Sequence, residues 1–264
     1  MESGIIEIGL GQLALGLLFI LIAGAASLYH SLKLEKDLLS GTARTFAQLF
    51  LLGYVLKFLF NIEDYRLVLS IFSFMILFAA WTIYGRVKEK QISFFLPVFF
   101  SMMLSFFLIS FMVTAVIVGV KPWWKPQYFI PLGGMVIGNS MNAIAIALER
   151  LLKELRTSRH EIEMKLCLGA DYKEASHETL KNAMRAGMIP SINSMMAVGI
   201  VFIPGMMTGQ ILAGADPMTA IRYQIVIMVM IVGATALGTL LVILLVRQRC
   251  FSQGHQLLLR PEKR

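Results

Sequence analysis

The stretch IVIMVMIVGATALGTLLVILLV, residues 225–246, decides the fold class of this chain. It carries no charged residue, and a helix of about 20 apolar residues is long enough to cross a bilayer. Comparable apolar blocks recur, and we predict membrane spans at 4–28, 45–61, 65–84, 93–120, 127–149, 190–213 and 218–246. The pattern predicts an all-α polytopic membrane protein with about seven transmembrane helices, organised as one transmembrane domain over residues 1–264.

Composition supports this class and argues against soluble ones. Hydrophobic residues make up 57% of the chain and charged residues 15%, whereas a soluble domain carries about 25% charged residues. The formal net charge of +8 does not indicate nucleic-acid binding, because the basic residues are divided among short loops and form no patch with interleaved aromatic residues. Membrane lipid is therefore an expected partner, and nucleic acid is not.

The distribution of Lys and Arg predicts the orientation in the membrane. Of the 24 basic residues, 19 lie in four segments outside the predicted spans, at 33–44, 86–90, 150–185 and 247–264. Because Lys and Arg accumulate in cytoplasmic loops, the carboxy terminus is predicted to be cytoplasmic and the amino terminus to lie outside. Cys167 and Cys250 fall in the cytoplasmic segments, where thiols stay reduced.

One connection, residues 149–190, is long, and its sequence predicts helices rather than a disordered loop. The helix of the fifth span is expected to continue to Leu168 and to stop at Gly169, because glycine commonly ends helices in a left-handed conformation. Asp171 is expected to cap a second helix over 171–186, with Glu174 completing a capping box three residues later.

This second helix is predicted to end at Gly187 and Pro190, so that residues 150–189 form a cytoplasmic hairpin, here termed the coupling hairpin. One interpretation is a solvated hairpin that only joins two spans. The other is a docking element for a cytoplasmic partner, since a capped helix tied to two spans transmits rigid-body motion and an unstructured connector does not. The candidate coupling residues are Glu163, Leu166, Gly169, Ala170, Asp171, Glu174 and Ala175.

Polar side chains interrupt the fifth predicted span. Asn139 and Asn142 lie one helical turn apart, just after Gly134 and Gly138. The glycine spacing lets two helix backbones approach closely, so the asparagines either join helices or line a transport pathway. Polar groups inside a membrane are costly and commonly face a cavity or another helix.

The sixth predicted span contains a proline and a polar, methionine-rich stretch. Pro204 has no N–H, so the carbonyl of Ile200 loses its helical partner, and a broken helix is a common place for a transporter's binding site or gate. Met206, Met207 and Gln210 follow. Thioethers suit Cu(I) better than Fe(II), and no His, Asp or Glu lies at that depth, so the metal ligands stay undefined. Apolar packing is the alternative role for the methionines.

The sequence contains no energy source or catalytic group. No stretch fits the phosphate-binding pattern GxxxxGK[ST], so any ATP and Mg must be bound by a partner chain, and no cofactor is expected in this one. An intramembrane hydrolase using Ser140 or Ser194 would lack a His or Lys base at comparable depth. A retinal protein would need a lysine in the last span, and residues 218–246 contain none. A ligand receptor and an ATP-independent carrier or channel remain alternatives.

Four stretches point to a known family. EMKLCLGADYKEA, followed by AGMIP, resembles the coupling loop of ABC transporter permeases. Together with GYVLKFLF, GGMVIGNSMNA and FIPGMMTGQILAGADPMTAIRYQI, it resembles the FetB-type permease family, which comprises bacterial iron-export permeases and plant aluminium-tolerance membrane proteins.

The resemblance implies a permease subunit of a bacterial inner-membrane ABC transporter that exports iron or another metal ion. It also implies a separate cytoplasmic ATPase that binds ATP and Mg. Because such ATPases work in pairs and one chain offers half a pathway, a homodimer is expected. Export of a non-metal cargo such as a nucleotide sugar stays open, and the direction of transport follows from the resemblance alone.

Overall fold

The computed structural model describes residues 8–61, 64–87, 89 and 91–259, and these residues contain helices and no strand. The helices are α1 (Leu10–Tyr29), α2 (Glu35–Leu59), α3 (Tyr65–Arg86), α4 (Phe95–Phe111), α5 (Pro126–Thr157), α6 (Arg159–Cys167), α7 (Tyr172–Ala175), α8 (His177–Ala197), α9 (Gly205–Leu212) and α10 (Pro217–Arg249). A π-helical segment, Met112–Ile117, extends α4.

Within the described residues, five helices are long and apolar enough to cross a membrane. They are α1, α3, α4 with its π-helical extension, α5 and α10. This confirms the all-α membrane fold. The count of about seven spans and the orientation of the termini stay predictions.

Two predicted spans differ from the observed helices. The predicted span 45–61 corresponds to α2, which begins earlier, at Glu35, and ends at Leu59. It is not one of the five because polar residues such as Arg44 and Lys57 reduce its apolar content. The predicted span 190–213 is interrupted, since α8 ends at Ala197 and α9 begins at Gly205, and the predicted break of the helix lies between them.

The helices of the coupling hairpin also differ from the prediction. The helix of the fifth span does not reach Leu168 unbroken, because α5 ends at Thr157 and α6 starts at Arg159, after the single residue Ser158. The second helix is divided at Ser176 into α7 and α8. Gly187 and Pro190 do not end it, since α8 continues through both to Ala197. Gly187 is buried where α8 crosses α5 and α10, and this packing outweighs the local preference of glycine and proline to end a helix.

Internal contacts divide the chain into two compact units. The first comprises α1, α2 and Leu212–Ala215, and the second comprises the rest of the described chain. In the first unit the turn between the helices is closed by Ser27, whose hydroxyl donates to Glu35 Oε1 at 2.8 Å and accepts the Leu34 N–H at 3.1 Å. The single permease domain of the sequence analysis stays a prediction.

The core of the second unit forms around α5, which packs against α3, α4, α8 and α10. Phe72 and Phe129 are fully buried, with ring centroids 5.0 Å apart. A buried hydrogen bond between the Ser140 and Thr235 hydroxyls, 2.9 Å long, joins α5 to α10. Small and hydroxyl residues at these crossings let the membrane helices approach closely, and the same helices form the cavity described next.

Candidate transport cavity and coupling hairpin

A cavity of about 460 Å³ lies in the second unit between α5, α8, α9, α10 and the segment 198–204. We call it the α5/α8/α10 cavity. Its lining is Met135, Asn139, Asn142, Ala143, Pro190, Ser191, Ser194, Phe202, Ile203, Pro204, Gly205, Met206, Gln224, Ile227, Met228 and Ile231. These described lining residues include amides, hydroxyls and thioethers but no charged side chain.

Four of the six predicted pathway residues meet in this cavity. Asn139 and Asn142 come from α5, Pro204 precedes α9, and Met206 lies in its first turn. The other two, Met207 and Gln210, lie on α9 but outside the lining. Their role in transport stays a prediction, whereas the grouping of the first four is a property of the fold.

The two asparagines are held in different ways. The Asn139 Nδ2 donates to the Met135 carbonyl at 2.8 Å. The Asn142 Oδ1 accepts from Arg86 Nη1 at 3.2 Å, and Arg86 Nε lies 3.6 Å from a carboxylate oxygen of Glu149. Asn142 is therefore tied to a charge pair between α3 and α5. Asn139 keeps its amide oxygen for another partner.

The break before α9 has a local backbone cause. Gly199 has φ +83, a conformation that glycine adopts without a steric penalty, and its N–H donates to the Phe202 carbonyl at 2.9 Å. The Pro204 carbonyl then accepts both the Thr208 N–H, at 3.0 Å, and the Thr208 hydroxyl, at 3.1 Å. Pro204 thus lies at the end of the interruption and directly before α9, so the helix is broken as predicted, by an irregular segment rather than by a kink within a continuous helix.

Gln224 is a cavity residue that sequence reasoning did not select. It lies on α10, is 7% exposed and lines the cavity. Its Oε1 has no hydrogen-bond partner among the described residues. The available signal was a single amide within the predicted span 218–246. Met135 on α5 and Met228 on α10 also line the cavity.

The described residues contain no cluster of three or more His, Cys, Asp or Glu side chains that could hold a metal ion. A cation in the cavity would therefore meet amide and hydroxyl oxygens and thioethers. Neutral oxygens can accept hydrogen bonds from the water shell of an ion, and the lining is suited to that rather than to a dehydrated, carboxylate-bound metal.

The tip of the coupling hairpin is exposed and sharply defined. Gly169 has φ +96 and ends the α6 turn, so the predicted stop at this residue is confirmed. Leu168 beside it is 81% exposed. Asp171 Oδ1 accepts the Glu174 N–H at 2.7 Å, and Glu174 Oε2 accepts the Asp171 N–H at 3.2 Å. This confirms the predicted capping box, and the hydrogen bond from the Glu174 N–H lowers the pKa of the Asp171 carboxyl.

The remaining coupling candidates support the tip from both sides. Glu163 on α6 pairs with Arg159 one turn earlier, at 2.6 Å. Leu166 and Ala170 are half-buried next to the turn, and Ala175 is buried at the end of α7. The candidate coupling residues therefore lie on both sides of the turn at Gly169. Their contact with a partner stays a prediction.

The carboxy-terminal segment 250–259 packs against the coupling hairpin, and this contact was not predicted from the sequence. His255 Nδ1 accepts the Tyr172 N–H at 3.0 Å, and the Leu259 carbonyl accepts from Arg159 Nη1 at 2.7 Å. The Tyr172 and Phe251 rings lie 5.5 Å apart. These contacts join segments that are far apart in the sequence, so no local pattern predicts them.

A buried ion pair supports the base of the hairpin. Glu89, in the connection before α4, pairs with Arg156 near the end of α5, and its side chain is 2% exposed. The Glu89 carboxylate also accepts the Gln91 N–H at 2.7 Å. Burial, and then the negative charge of Glu89, raises the pKa of the neighbouring Cys250 thiol to about 12.

Comparison with known proteins identifies the family. Residues 10–251 match the model of the family described as "Uncharacterised protein family (UPF0014)". The chain is 36% identical over 260 residues to the UPF0014 membrane protein slr1647 of Synechocystis, covering 98% of this chain and 100% of that protein.

Two further relatives carry functional names. The probable iron export permease protein FetB of Escherichia coli is 33% identical over 254 residues, which is 96% of each chain. Protein ALUMINUM SENSITIVE 3 of Arabidopsis thaliana is 30% identical over 252 residues, 94% of this chain and 90% of that one. No solved structure matches the chain. The resemblance to FetB-type permeases is confirmed, and the chain belongs to the UPF0014 family of membrane proteins.

Proposed function

We propose that this chain is the permease subunit of an ABC transporter that exports a metal ion, with iron as the first candidate. A separate cytoplasmic ATPase supplies the energy and binds ATP and Mg. The observation that carries the proposal is that one helix, α8, runs from the exposed tip region of the coupling hairpin to the wall of the α5/α8/α10 cavity. The match to a relative named as a probable iron export permease supports the same function.

The coupling step begins at the tip. The ATPase docks on the surface around Leu168 and Gly169, where the chain is exposed and held by the capping box. When the ATPase dimer closes, the tip moves and α8 moves with it, because an α-helix of 21 residues is a rigid rod about 30 Å long. Pro190, Ser191 and Ser194 on the same helix line the cavity, so the movement changes its shape or access.

The side chains that line the cavity favour a hydrated metal ion as the cargo. The described lining residues offer amide and hydroxyl oxygens from Asn139, Ser191, Ser194 and Gln224, and no charged side chain. Such oxygens suit an ion that keeps its water shell, whereas a dehydrated Fe(II) site would use carboxylates or imidazoles. A neutral cavity also releases its cargo readily, which a pump requires at the end of each cycle.

Two further parts of the proposal concern assembly and location. The chain works as a homodimer in the bacterial inner membrane, because ABC ATPases act in pairs and each ATPase needs a coupling hairpin. The predicted orientation puts the hairpin in the cytoplasm, where ATP is available.

The test uses the permease reconstituted with its ATPase in lipid vesicles. Gly169→Trp adds a bulky side chain at the tip, and Gly119→Trp is the matched control. Both glycines have positive φ, +96 and +72, and an added Cβ would meet no atom within 4 Å at either, so both variants carry a comparable backbone strain of about 1–2 kcal/mol. We expect Gly169→Trp to abolish iron-stimulated ATP hydrolysis and iron transport, and Gly119→Trp to retain both.

Equal insertion of the two variants into the membrane is the control for folding. Normal coupling in Gly169→Trp would contradict the docking assignment. Transport of ferrous iron by the chain alone, without the ATPase or ATP, would instead support the alternative function of an ATP-independent carrier or channel.

A further inference from the structure

The side chain of Gln224 is the least explained polar group of the α5/α8/α10 cavity. It lies on α10 between apolar neighbours, is 7% exposed, and lines the cavity. Its Oε1 atom is buried and has no hydrogen-bond partner among the described residues. The other cavity amides differ, since Asn139 donates to the Met135 carbonyl and Asn142 accepts from Arg86.

An unpartnered acceptor in this position weakens the fold. A buried polar atom without a hydrogen bond loses the interaction it makes with water in the unfolded or uninserted chain, and leucine at the same position would avoid that loss. Gln224 therefore makes no stabilising hydrogen bond through this oxygen. Because Gln224 lines the cavity, a donor that enters the cavity can satisfy this oxygen once the side chain turns toward it.

We propose that the Gln224 Oε1 binds the cargo by accepting an O–H hydrogen bond from a water molecule of a hydrated metal cation. This inference rests on the proposed function and names the contact that the cargo makes on α10. Oxygen-bearing side chains line the cavity from two sides, with Gln224 on α10 and with Asn139, Ser191 and Ser194 on α5 and α8.

The size and charge of the cavity fit this cargo. Six waters at about 30 Å³ each occupy about 200 Å³, and the cavity measures about 460 Å³, so an ion with its first water shell fits without losing it. The described lining residues include no carboxylate or imidazole to replace that water. Metal-bound water is a strong hydrogen-bond donor because the cation polarises its O–H bonds.

Stability and cargo binding together distinguish a cargo-binding role of Gln224 from a role in helix packing. Replacing Gln224 by leucine removes an unpartnered acceptor, so the apo protein keeps or gains stability, while cargo binding is lost. A residue that only packs or joins helices would lose stability when replaced. Stability and binding therefore move in opposite directions if the inference is right.

The experiment compares Gln224→Leu with Thr239→Val in the purified full-length chain, held in lipid nanodiscs. Thr239 is the matched control, since it lies on the same helix, is fully buried, and has a hydroxyl without a partner among the described residues, but it is not part of the cavity lining. Binding of ferrous iron alone is measured by anaerobic equilibrium dialysis, and thermal unfolding by circular dichroism.

We expect the dissociation constant for ferrous iron to rise about tenfold or more in Gln224→Leu and to stay unchanged in Thr239→Val. The thermal midpoint of either variant should be equal to or above that of the wild type. Gln224→Glu, which keeps the acceptor oxygen, should bind iron at least as tightly as the wild type.

Two results with iron as the probe would overturn the inference. Wild-type iron affinity in Gln224→Leu, with iron-stimulated ATPase activity intact in the wild-type complex, would remove Gln224 from the cargo site and leave the proposed function standing. A lowered thermal midpoint in Gln224→Leu would assign the residue to packing.

In a parallel arm, GDP-mannose supplies sugar hydroxyls as the alternative O–H donors. Gln224-dependent binding of GDP-mannose, without iron binding, would replace the hydrated cation by a sugar. A wild-type complex that neither probe binds or stimulates would count against the proposed function itself, and against this inference with it.

Discussion

The crossing of α8 with α5 at Gly187 offers the sharpest test of how the coupling hairpin is joined to the cavity. A Cβ atom added at Gly187 would lie 2.8 Å from the Ala143 carbonyl oxygen, 2.9 Å from Ala147 Cβ and 3.3 Å from Thr239 Cγ2. Favourable contacts between carbon atoms lie at about 3.5–4.0 Å. Because the two closest atoms are a backbone oxygen and a Cβ, no side-chain rotation relieves the contact, and α8 must move away by about 0.5–1 Å.

The expected cost of Gly187→Ala follows from two opposing effects. Overpacking a tight crossing costs about 1–3 kcal/mol, and alanine gains about 1 kcal/mol over glycine in a helix interior. We expect a net loss of up to about 2 kcal/mol. Gly233→Ala on α10 is the matched control, since an added Cβ there meets no atom within 4 Å, and it should gain up to about 1 kcal/mol.

The assay is unfolding of the purified chain in mixed micelles, monitored by the helical signal at 222 nm, together with ATP-driven transport in vesicles. Transport should fall in Gly187→Ala, because the displaced helix carries Pro190 and Ser191 of the cavity wall. If Gly187→Ala were as stable and as active as Gly233→Ala, the close crossing would not exist and the mechanical link through α8 would be refuted.

Three further predictions concern the buried ion pair at the base of the hairpin and the two cysteines. Arg156→Ala leaves the Glu89 carboxylate buried without its cation, so the free energy of unfolding should fall by about 3 kcal/mol. The double variant Glu89→Gln with Arg156→Met should recover most of this loss. An unchanged midpoint of thermal unfolding in Arg156→Ala would contradict a stabilising ion pair. Burial raises the pKa of the Cys250 thiol to about 12, so folding favours the neutral thiol and stability should be lost as pH rises above the ordinary value of 9.0. In the folded protein at neutral pH a maleimide should label the exposed Cys167 and not the buried Cys250, and equal labelling of both would refute the burial.

The membrane fold was predictable from the sequence because long apolar blocks have one main physical interpretation. Local signals in the coupling hairpin were also reliable where a single residue decides the backbone. Gly169 adopts a positive φ and Asp171 forms the capping box with Glu174, since both depend only on neighbouring residues. Gly187 and Pro190 were misread because their effect depends on what α8 packs against, and a sequence does not show that packing.

The candidate cavity was predictable only in part. Asn139, Asn142 and Pro204 stand out as unusual residues in apolar spans, and the fold brings them together. Gln224 was missed because a single amide in a predicted span is usually a hydrogen-bonding contact between helices. Only the packing of α5, α8 and α10 shows that its oxygen has no hydrogen-bond partner among the described residues. Met207 and Met206 are adjacent in sequence, but only Met206 faces the cavity, because successive residues on a helix point about 100° apart.

The contacts around the hairpin explain why a push at its tip would reach the cavity instead of being absorbed locally. The carboxy-terminal segment holds α6 through Arg159 and the start of α7 through Tyr172, so the two sides of the tip cannot separate without breaking these bonds. Between the tip and the cavity, α7 and α8 are separated by Ser176 alone, and that residue is fully buried. Beyond the cavity the chain leaves the helix over 198–204, and the short α9 follows. If the chain works as proposed, movement of α8 would therefore be expressed at the cavity wall, between the packed hairpin and the irregular segment 198–204.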